Sequence, residues 1–355
     1  MTRRELLTPD HDFLISSAVR LYGLKKETIE SVQPHEGGRN SIFYAEMYQA
    51  IPVVLRISCP DTPDLEWYRA EVEYVRYLYN NGGNVANVIS SLNGNLFEEI
   101  LYHGTTYILC VFEKVKGKLL AENNYRYREG VPLSEYFCSC GKTLGRLHRL
   151  SKEYTPTHRR HSFFEKYSER YLDQIIPDEF PILREKLKIL LNQLAVLDRG
   201  KAVYGMIHFD FNDGNYSIDF DTGKITVYDF DNSCMGHYLY DLADLWINGT
   251  GWIQAEPDAE KRKRFMESYF AAVLKGYRME TTVDEGMLAK LPLFINAVIM
   301  ENIFDELESM RRNGEDPGED EEFVYLVRCI EDQIPFKGFF SEIYLCESPF
   351  ELVKD

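Results

Sequence analysis

The stretch His208-Phe-Asp-Phe-Asn-Asp-Gly-Asn215, followed by Tyr228-Asp-Phe-Asp231, gathers the residue types in this chain most suited to joint chemistry. Asp210 offers a carboxylate that can accept a proton from a hydroxyl group. Asn215 and Asp229 offer hard oxygen donors of the kind that hold Mg²⁺ against phosphate. Phosphoryl transfer asks a protein mainly for positioning and charge neutralisation, so a few such oxygens on a rigid scaffold suffice. The elements around them must therefore bring them together. Tyr204–Ile207 reads as a short strand leading into the loop. Tyr216–Asp219 and the β-branched run Ile225–Tyr228 read as two more strands. Between them Asp221-Thr-Gly-Lys224 is a turn, because Asp and Gly supply turn conformations. Such a hairpin returns Asp229 to the neighbourhood of Asn215.

The ordered set His-x-Asp-x-x-x-x-Asn, strand, Asp-Phe-Asp resembles the aminoglycoside phosphotransferase and choline kinase-like family. Leu-Gly-Arg-Leu-His148 and Gly236-x-x-x-x-Asp241-Leu-Ala are similar to that family as well. The resemblance implies an α+β, protein-kinase-like fold of two lobes. The N-terminal lobe would hold an antiparallel sheet and a helix, and the larger C-terminal lobe would be mainly helical. It implies transfer of the γ-phosphoryl group of ATP, with Mg²⁺, to a hydroxyl of a small molecule. Asp210 would be the catalytic base and His208 would brace its loop. Asn215 and Asp229 would be metal ligands, with Asp231 a further family acid at the metal site. Asp241 would accept hydrogen bonds from the catalytic-loop backbone.

In the N-terminal half, Leu14, Ile15, Ala18, Leu21 and Tyr22 recur at helical spacing and Gly23 ends the run. Gly37 and Gly38 read as a turn between strands, where the backbone can approach phosphate oxygens with no Cβ in the way. Pro52–Ser58 reads as a strand carrying Arg56, at the place where kinase-like folds usually set a phosphate-touching lysine. A guanidinium there is bulkier and forked. A helix follows, capped by Thr62 and Pro63 and ended by Gly82-Gly83. Its apolar stripe is Leu65, Tyr68, Val72, Val75 and Tyr79, with Glu71 at the edge as the natural partner of Arg56. Leu96–Tyr102 and Thr105–Phe112 read as strands around a His103-Gly104 turn. In the resembling family the next segment, here Glu113-Lys-Val115-Lys-Gly117, is a hinge whose backbone meets the adenine edge. The division expected is a nucleotide-binding lobe over 1–116 and a catalytic, substrate-binding lobe over 117–355.

Composition narrows the partners. A net charge of −17 repels nucleic acid, and the short basic runs Arg159-Arg160 and Lys261–Arg264 do not reverse that. No apolar run is long enough for a membrane span, and the first residues lack the apolar core of a signal peptide. Seven cysteines with no metal-ligand spacing fit a reducing compartment, so a cytoplasmic protein is expected. Trp246, Trp252, Tyr269 and Phe270 read as core before pocket. Glu301, Asp305 and Glu308 share one helix face, which reads as solvated; with aromatics beside it, it would suit an amine-bearing alcohol.

A protein kinase is the nearest rival, but the loop reads His-Phe-Asp and no Ala-Pro-Glu follows. A catalytically silent binding or coat-like relative predicts decay of Asp210, Asn215 and Asp229, and all three are intact. The acceptor stays open among aminoglycosides, amino alcohols, amino acids and sugars, and GTP stays open as donor. The oligomeric state is not legible.

Overall fold

The structure is a computed structural model in which residues 11–32, 40–48, 50–59 and 65–339 are described. The chain forms two compact units, residues 1–116 with 155–160, and residues 117–154 with 161–355.

In the first unit, α1 (His11–Tyr22) buries Leu14, Ala18 and Tyr22, one stripe of a 3.6-residue period. Gly23 ends it at φ 65°. Then come β1 (Glu30–Ser31), β2 (Asn40–Glu46), β3 (Pro52–Ser58), α2 (Leu65–Asn80), β4 (Val88–Ile89), β5 (Glu98–Tyr102) and β6 (Thr105–Glu113). The strands form one antiparallel sheet in the order β1-β2-β3-β6-β4, with β5 also paired to β6. The Tyr22 hydroxyl donates to the Leu109 carbonyl at 2.9 Å and fastens α1 to the sheet. β5 begins at Glu98, two residues later than its sequence suggests. The Glu98 carboxylate accepts from Ser91, Asn93 and Asn95 and so keeps the preceding residues in a turn. Gly37, Gly38, Thr62 and Pro63 lie outside the described residues.

The buried face of α2 is rotated from the expected stripe. It consists of Ala70, Glu71, Val72, Tyr74, Val75 and Leu78, while Tyr79 is exposed. Glu71 therefore lies within the buried face and not at its edge. The cause is the ion pair it makes with Arg56 of β3, which draws a charged side chain inside. Residues 155–160 pack on the same helix: Thr157 and His158 bond Glu73, and Arg160 donates to the Trp67 carbonyl.

The second unit contains α3 (Leu133–Glu153), α4 (Phe163–Lys166), α5 (Glu169–Ile175), α6 (Pro181–Ala195), β7 (Tyr204–Ile207), β8 (Tyr216–Asp219), β9 (Lys224–Val227), β10 (Cys234–His237), α7 (Tyr238–Thr250), α8 (Ala259–Arg278), α9 (Glu285–Leu288), α10 (Leu291–Asn313) and α11 (Glu321–Glu331). β8 and β9 form the expected hairpin, with Tyr216 opposite Val227 and Asp219 opposite Lys224. β7 pairs with β10, a strand of four residues that the sequence did not announce.

Glycine sets the approach of α3 and α8. A Cβ on Gly141 would stand 1.9 Å from the Val273 carbonyl oxygen, and one on Gly276 would stand 1.8 Å from that of Cys138. Beside this seam Phe137 packs on Tyr269 and Trp252, with ring centroids 4.6 and 5.6 Å away, so both are core residues. Asp258 caps α8, and Lys261, Lys263 and Arg264 lie exposed on its first turns. Among the described residues no helix is long and apolar enough to cross a membrane. Gly276→Ala should lower stability by about 2 kcal/mol or more, because backbone must move to admit the methyl group. Denaturant unfolding with an unaltered midpoint would refute the close packing.

Candidate active site

The loop after β7 is held by one buried carboxylate. Asp241, in the first turn of α7, accepts from the backbone N–H groups of His208 and Phe209, both at 2.9 Å. His148 on α3 approaches the same carboxylate at 3.0 Å through Nε2, and its Nδ1 meets the Tyr277 hydroxyl at 2.9 Å. Burial pushes the His148 ring below the usual histidine range, and Asp241 opposes that shift. Phe209 takes φ 72°, a conformation that side chains rarely adopt. The two bonds to Asp241 and a stacking contact with Tyr240, 4.4 Å between centroids, keep it there.

His208 joins the loop to the hairpin. Its Nδ1 accepts from the Asp210 N–H at 3.3 Å, so that nitrogen carries no proton. Nε2 lies 3.0 Å from the Tyr228 carbonyl, which can only accept, so it carries the proton. The ring is thus neutral and clamps the residue before Asp229. From the other side, the Tyr228 N–H donates to the Asn215 carbonyl at 2.9 Å. These bonds bring the two ends of the β8–β9 hairpin together, with Asn215 at one end and Asp229 at the other.

Asp210 is half-buried, and its carboxylate receives amide N–H groups from Asn212 on one oxygen and Asn232 on the other. Each oxygen keeps lone-pair capacity for a further donor such as a hydroxyl. The Asn215 side-chain nitrogen donates to the Asp210 carbonyl at 2.9 Å, which leaves its Oδ1 as the end able to meet a cation. Asp229 is exposed and sits at φ 60°. Asp231 is half-buried two residues further on. Among the described residues no three His, Cys, Asp or Glu side chains form a closed metal cage. Asn215 and Asp229 supply an amide and a carboxylate oxygen, hard donors of the kind that Mg²⁺ takes together with waters and phosphate oxygens.

In the first unit, the Arg56 guanidinium lies 2.8 Å from the Glu71 carboxylate, with both side chains buried. Arg56 also lies over the Phe112 ring at 5.2 Å, so its fork is fixed in direction. The Glu113 N–H is occupied by the Asn87 carbonyl at 2.8 Å. Among the described residues the backbone groups of Val115 have no hydrogen-bond partner.

Two asparagines on Asp210 were missed in the sequence. Asn212 lies inside the motif and Asn232 directly follows Asp231, but an asparagine in such a loop reads first as a turn residue. Glu301 is the other surprise. It is half-buried on α10, accepts from the Tyr167 hydroxyl at 3.2 Å and lies 3.7 Å from Lys166 Nζ. Burial, then the Asp305 carboxylate, push its carboxyl up to about 8, against the pull of Lys166; Asp210 adds to the rise. Glu308 accepts from the Tyr171 hydroxyl at 2.7 Å. The acidic face is therefore tied to aromatic hydroxyls at Glu301 and Glu308, and it is not uniformly solvated.

The sequence profile of the phosphotransferase enzyme family matches residues 31–278, well over half of the chain. The chain belongs to that family. The phosphotransferase is 25% identical to the amicoumacin kinase of Bacillus subtilis (strain 168) over 332 residues, 92% of this chain and 94% of that protein. It shares its fold with an amicoumacin kinase solved with AMP-PNP, Ca²⁺ and Ami, at TM-score 0.82 and 23% identity, covering 96% of this chain and 98% of the other. A microcompartment-associated aminopropanol kinase aligns at TM-score 0.65 and 20% identity, over 90% of this chain and 93% of the other. The fold is thus the protein-kinase-like α+β arrangement expected.

Asp241→Ala in the phosphotransferase should cost about 3 kcal/mol or more, because it strands two buried N–H groups and a buried imidazole. Turnover should fall with it even at temperatures where the variant remains folded. Unaltered turnover in the folded variant would show that the loop does not depend on this carboxylate.

Proposed function

We propose that this phosphotransferase moves the γ-phosphoryl group of ATP onto a hydroxyl group of an amine-bearing small molecule. The observation that carries the reading is the Asp210 carboxylate, held between two amides in a braced loop beside a face of carboxylates and tyrosines. In this reading Asp210 orients the acceptor hydroxyl and takes its proton. The acceptor oxygen forms a new bond to phosphorus as the bond to the departing ADP breaks. Asn215 and Asp229 would hold a divalent cation, with Asp231 as a nearby acid. When bound, such an ion neutralises charge on the phosphate oxygens. Arg56, directed by Glu71, would donate to phosphate, and Val115 offers backbone groups suited to a nucleobase edge. Gly37 and Gly38 would let backbone approach the phosphates. AMP-PNP and Ca²⁺ in the related amicoumacin kinase support a nucleoside triphosphate donor and a divalent ion.

The amine is inferred from the wall around Glu301. Ammonium groups favour carboxylates and aromatic faces, and this wall supplies both. The related kinase named for aminopropanol supports an acceptor of this class. A silent binding protein would have no need of a base with open lone pairs in so braced a loop.

A screen of aminoglycosides, amino alcohols, amino acids and sugars, read by ADP release, tests the reaction. Asp210→Ala should lower turnover by about 10²–10⁴-fold with Mg·AMP-PNP affinity nearly retained. Asp229→Ala should weaken Mg·AMP-PNP binding in calorimetry, and normal affinity there would remove Asp229 as a ligand. The pH profile provides a separate test. Glu301 gains full charge only as pH rises through about 8. kcat/KM for amine acceptors should therefore climb toward that pH, and Glu301→Gln should flatten the climb. An identical profile in the variant would detach Glu301 from acceptor binding.

A further inference from the structure

One cation already stands in the wall around Glu301. Lys166, the last residue of α4, places Nζ 3.7 Å from Glu301, 4.9 Å from the centroid of Tyr167 and 4.7 Å from that of Phe209. A carboxylate and two aromatic faces are the surroundings that suit a substrate ammonium group. We propose that Lys166 competes with the acceptor's ammonium group for the Glu301 carboxylate and so determines which amines the site accepts. This rests on the amine reading given above.

Three features support competition over a purely structural ion pair. First, the contact is loose: 3.7 Å exceeds hydrogen-bond length, and the lysine side chain is 29% exposed on a flexible stem. Second, the region around the pair is acidic beyond Glu301 itself. Asp305 is exposed on the next turn of α10, and Asp244 on α7 bears on the same region. Third, among the described residues the Tyr240 hydroxyl is buried without a hydrogen-bond partner, within electrostatic reach of Glu301, Asp244 and Asp305. A buried hydroxyl left unpaired is costly, so the packing here does not complete its own hydrogen bonds. Among the described residues, the groups facing Glu301 are Asp305 on its own helix, Lys166, Tyr167 and Tyr171, Tyr240 on α7, and Asp210 in the loop. Lys166 is the only cation in that set.

Propylammonium serves as the probe, because it carries the ammonium head alone. Its binding is measured by calorimetry with Mg·AMP-PNP present, at a pH above about 8 where Glu301 is charged. Lys166→Met should tighten binding about three- to tenfold, the scale of a partly exposed ion pair with some desolvation. Lys166→Arg should restore the weak wild-type value. Equal binding in wild type and Lys166→Met, or undetectable binding in both, overturns the proposal. So does a loss of Mg·AMP-PNP affinity in Lys166→Met without tighter propylammonium binding, since that would place the lysine on phosphate. Glu301→Gln separates the two readings. If it binds propylammonium as wild type does, the amine reading itself falls. If it loses binding while Lys166→Met shows no gain, only the competition falls. Thermal unfolding checks that each variant is folded.

Discussion

The Asp241 carboxylate is the contact on which the rest of the catalytic unit depends. It is fully buried, yet it accepts from two backbone N–H groups and one imidazole, so its charge is matched on both oxygens. Those partners come from α3 and from the loop after β7, and the imidazole passes the link to Tyr277 of α8. One carboxylate therefore joins two helices to an irregular loop that could not otherwise hold its shape. A neutral, buried His148 suits this role better than a charged one. Its ring serves as a donor to Asp241 while adding no charge that the interior would have to solvate.

From that anchor, strain is confined to places where bonds can hold it. Phe209 and Asp229 both adopt positive φ, and each is next to a residue tied by hydrogen bonds. Phe209 follows His208, whose backbone is on Asp241, and Asp229 follows Tyr228, whose carbonyl is on His208. The imidazole of His208 thus couples the two strained residues. Such conformations persist only where the surroundings over-determine them, and they occur at sites where a side chain must be aimed. In this loop the carboxylates of Asp210 and Asp229 lie on or next to the strained positions.

Much of this was legible in the sequence because the informative residues are contiguous. The loop and hairpin lie within residues 204 to 231, and period-two strands with an Asp-Thr-Gly turn declare themselves locally. The pairing of Arg56 with Glu71 was also readable, since an acid near an apolar stripe needs a cation. Its depth was not: helical periodicity gives a stripe, but the partner on the sheet decides which residue faces inward. β10 was missed because four residues with a glycine carry no strand signal until β7 supplies hydrogen bonds. The character of Glu301 was hidden for a similar reason. A helix face of acids reads as solvated unless one knows that Tyr167, Tyr171 and Lys166 lie against it, and they are well over a hundred residues earlier in the chain.

Charge sorting is the remaining constraint. A chain of net charge −17 that handles a nucleoside triphosphate must oppose its own long-range field near the phosphates. Arg56 does little of this as a point charge, since Glu71 cancels most of it at 2.8 Å. The pair contributes a fixed fork of donors, and in the function proposed above net neutralisation would fall to a divalent ion. The same field favours a cationic acceptor, which needs no such ion. The catalytic unit then faces the opposite difficulty, because surplus carboxylates would hold any passing amine. In the reading proposed above, a resident lysine beside Glu301 and a carboxyl group pushed up to about 8 would both weaken that indiscriminate attraction. Selectivity at an acidic wall can therefore arise from how much of its charge is withheld as well as from where the carboxylates stand.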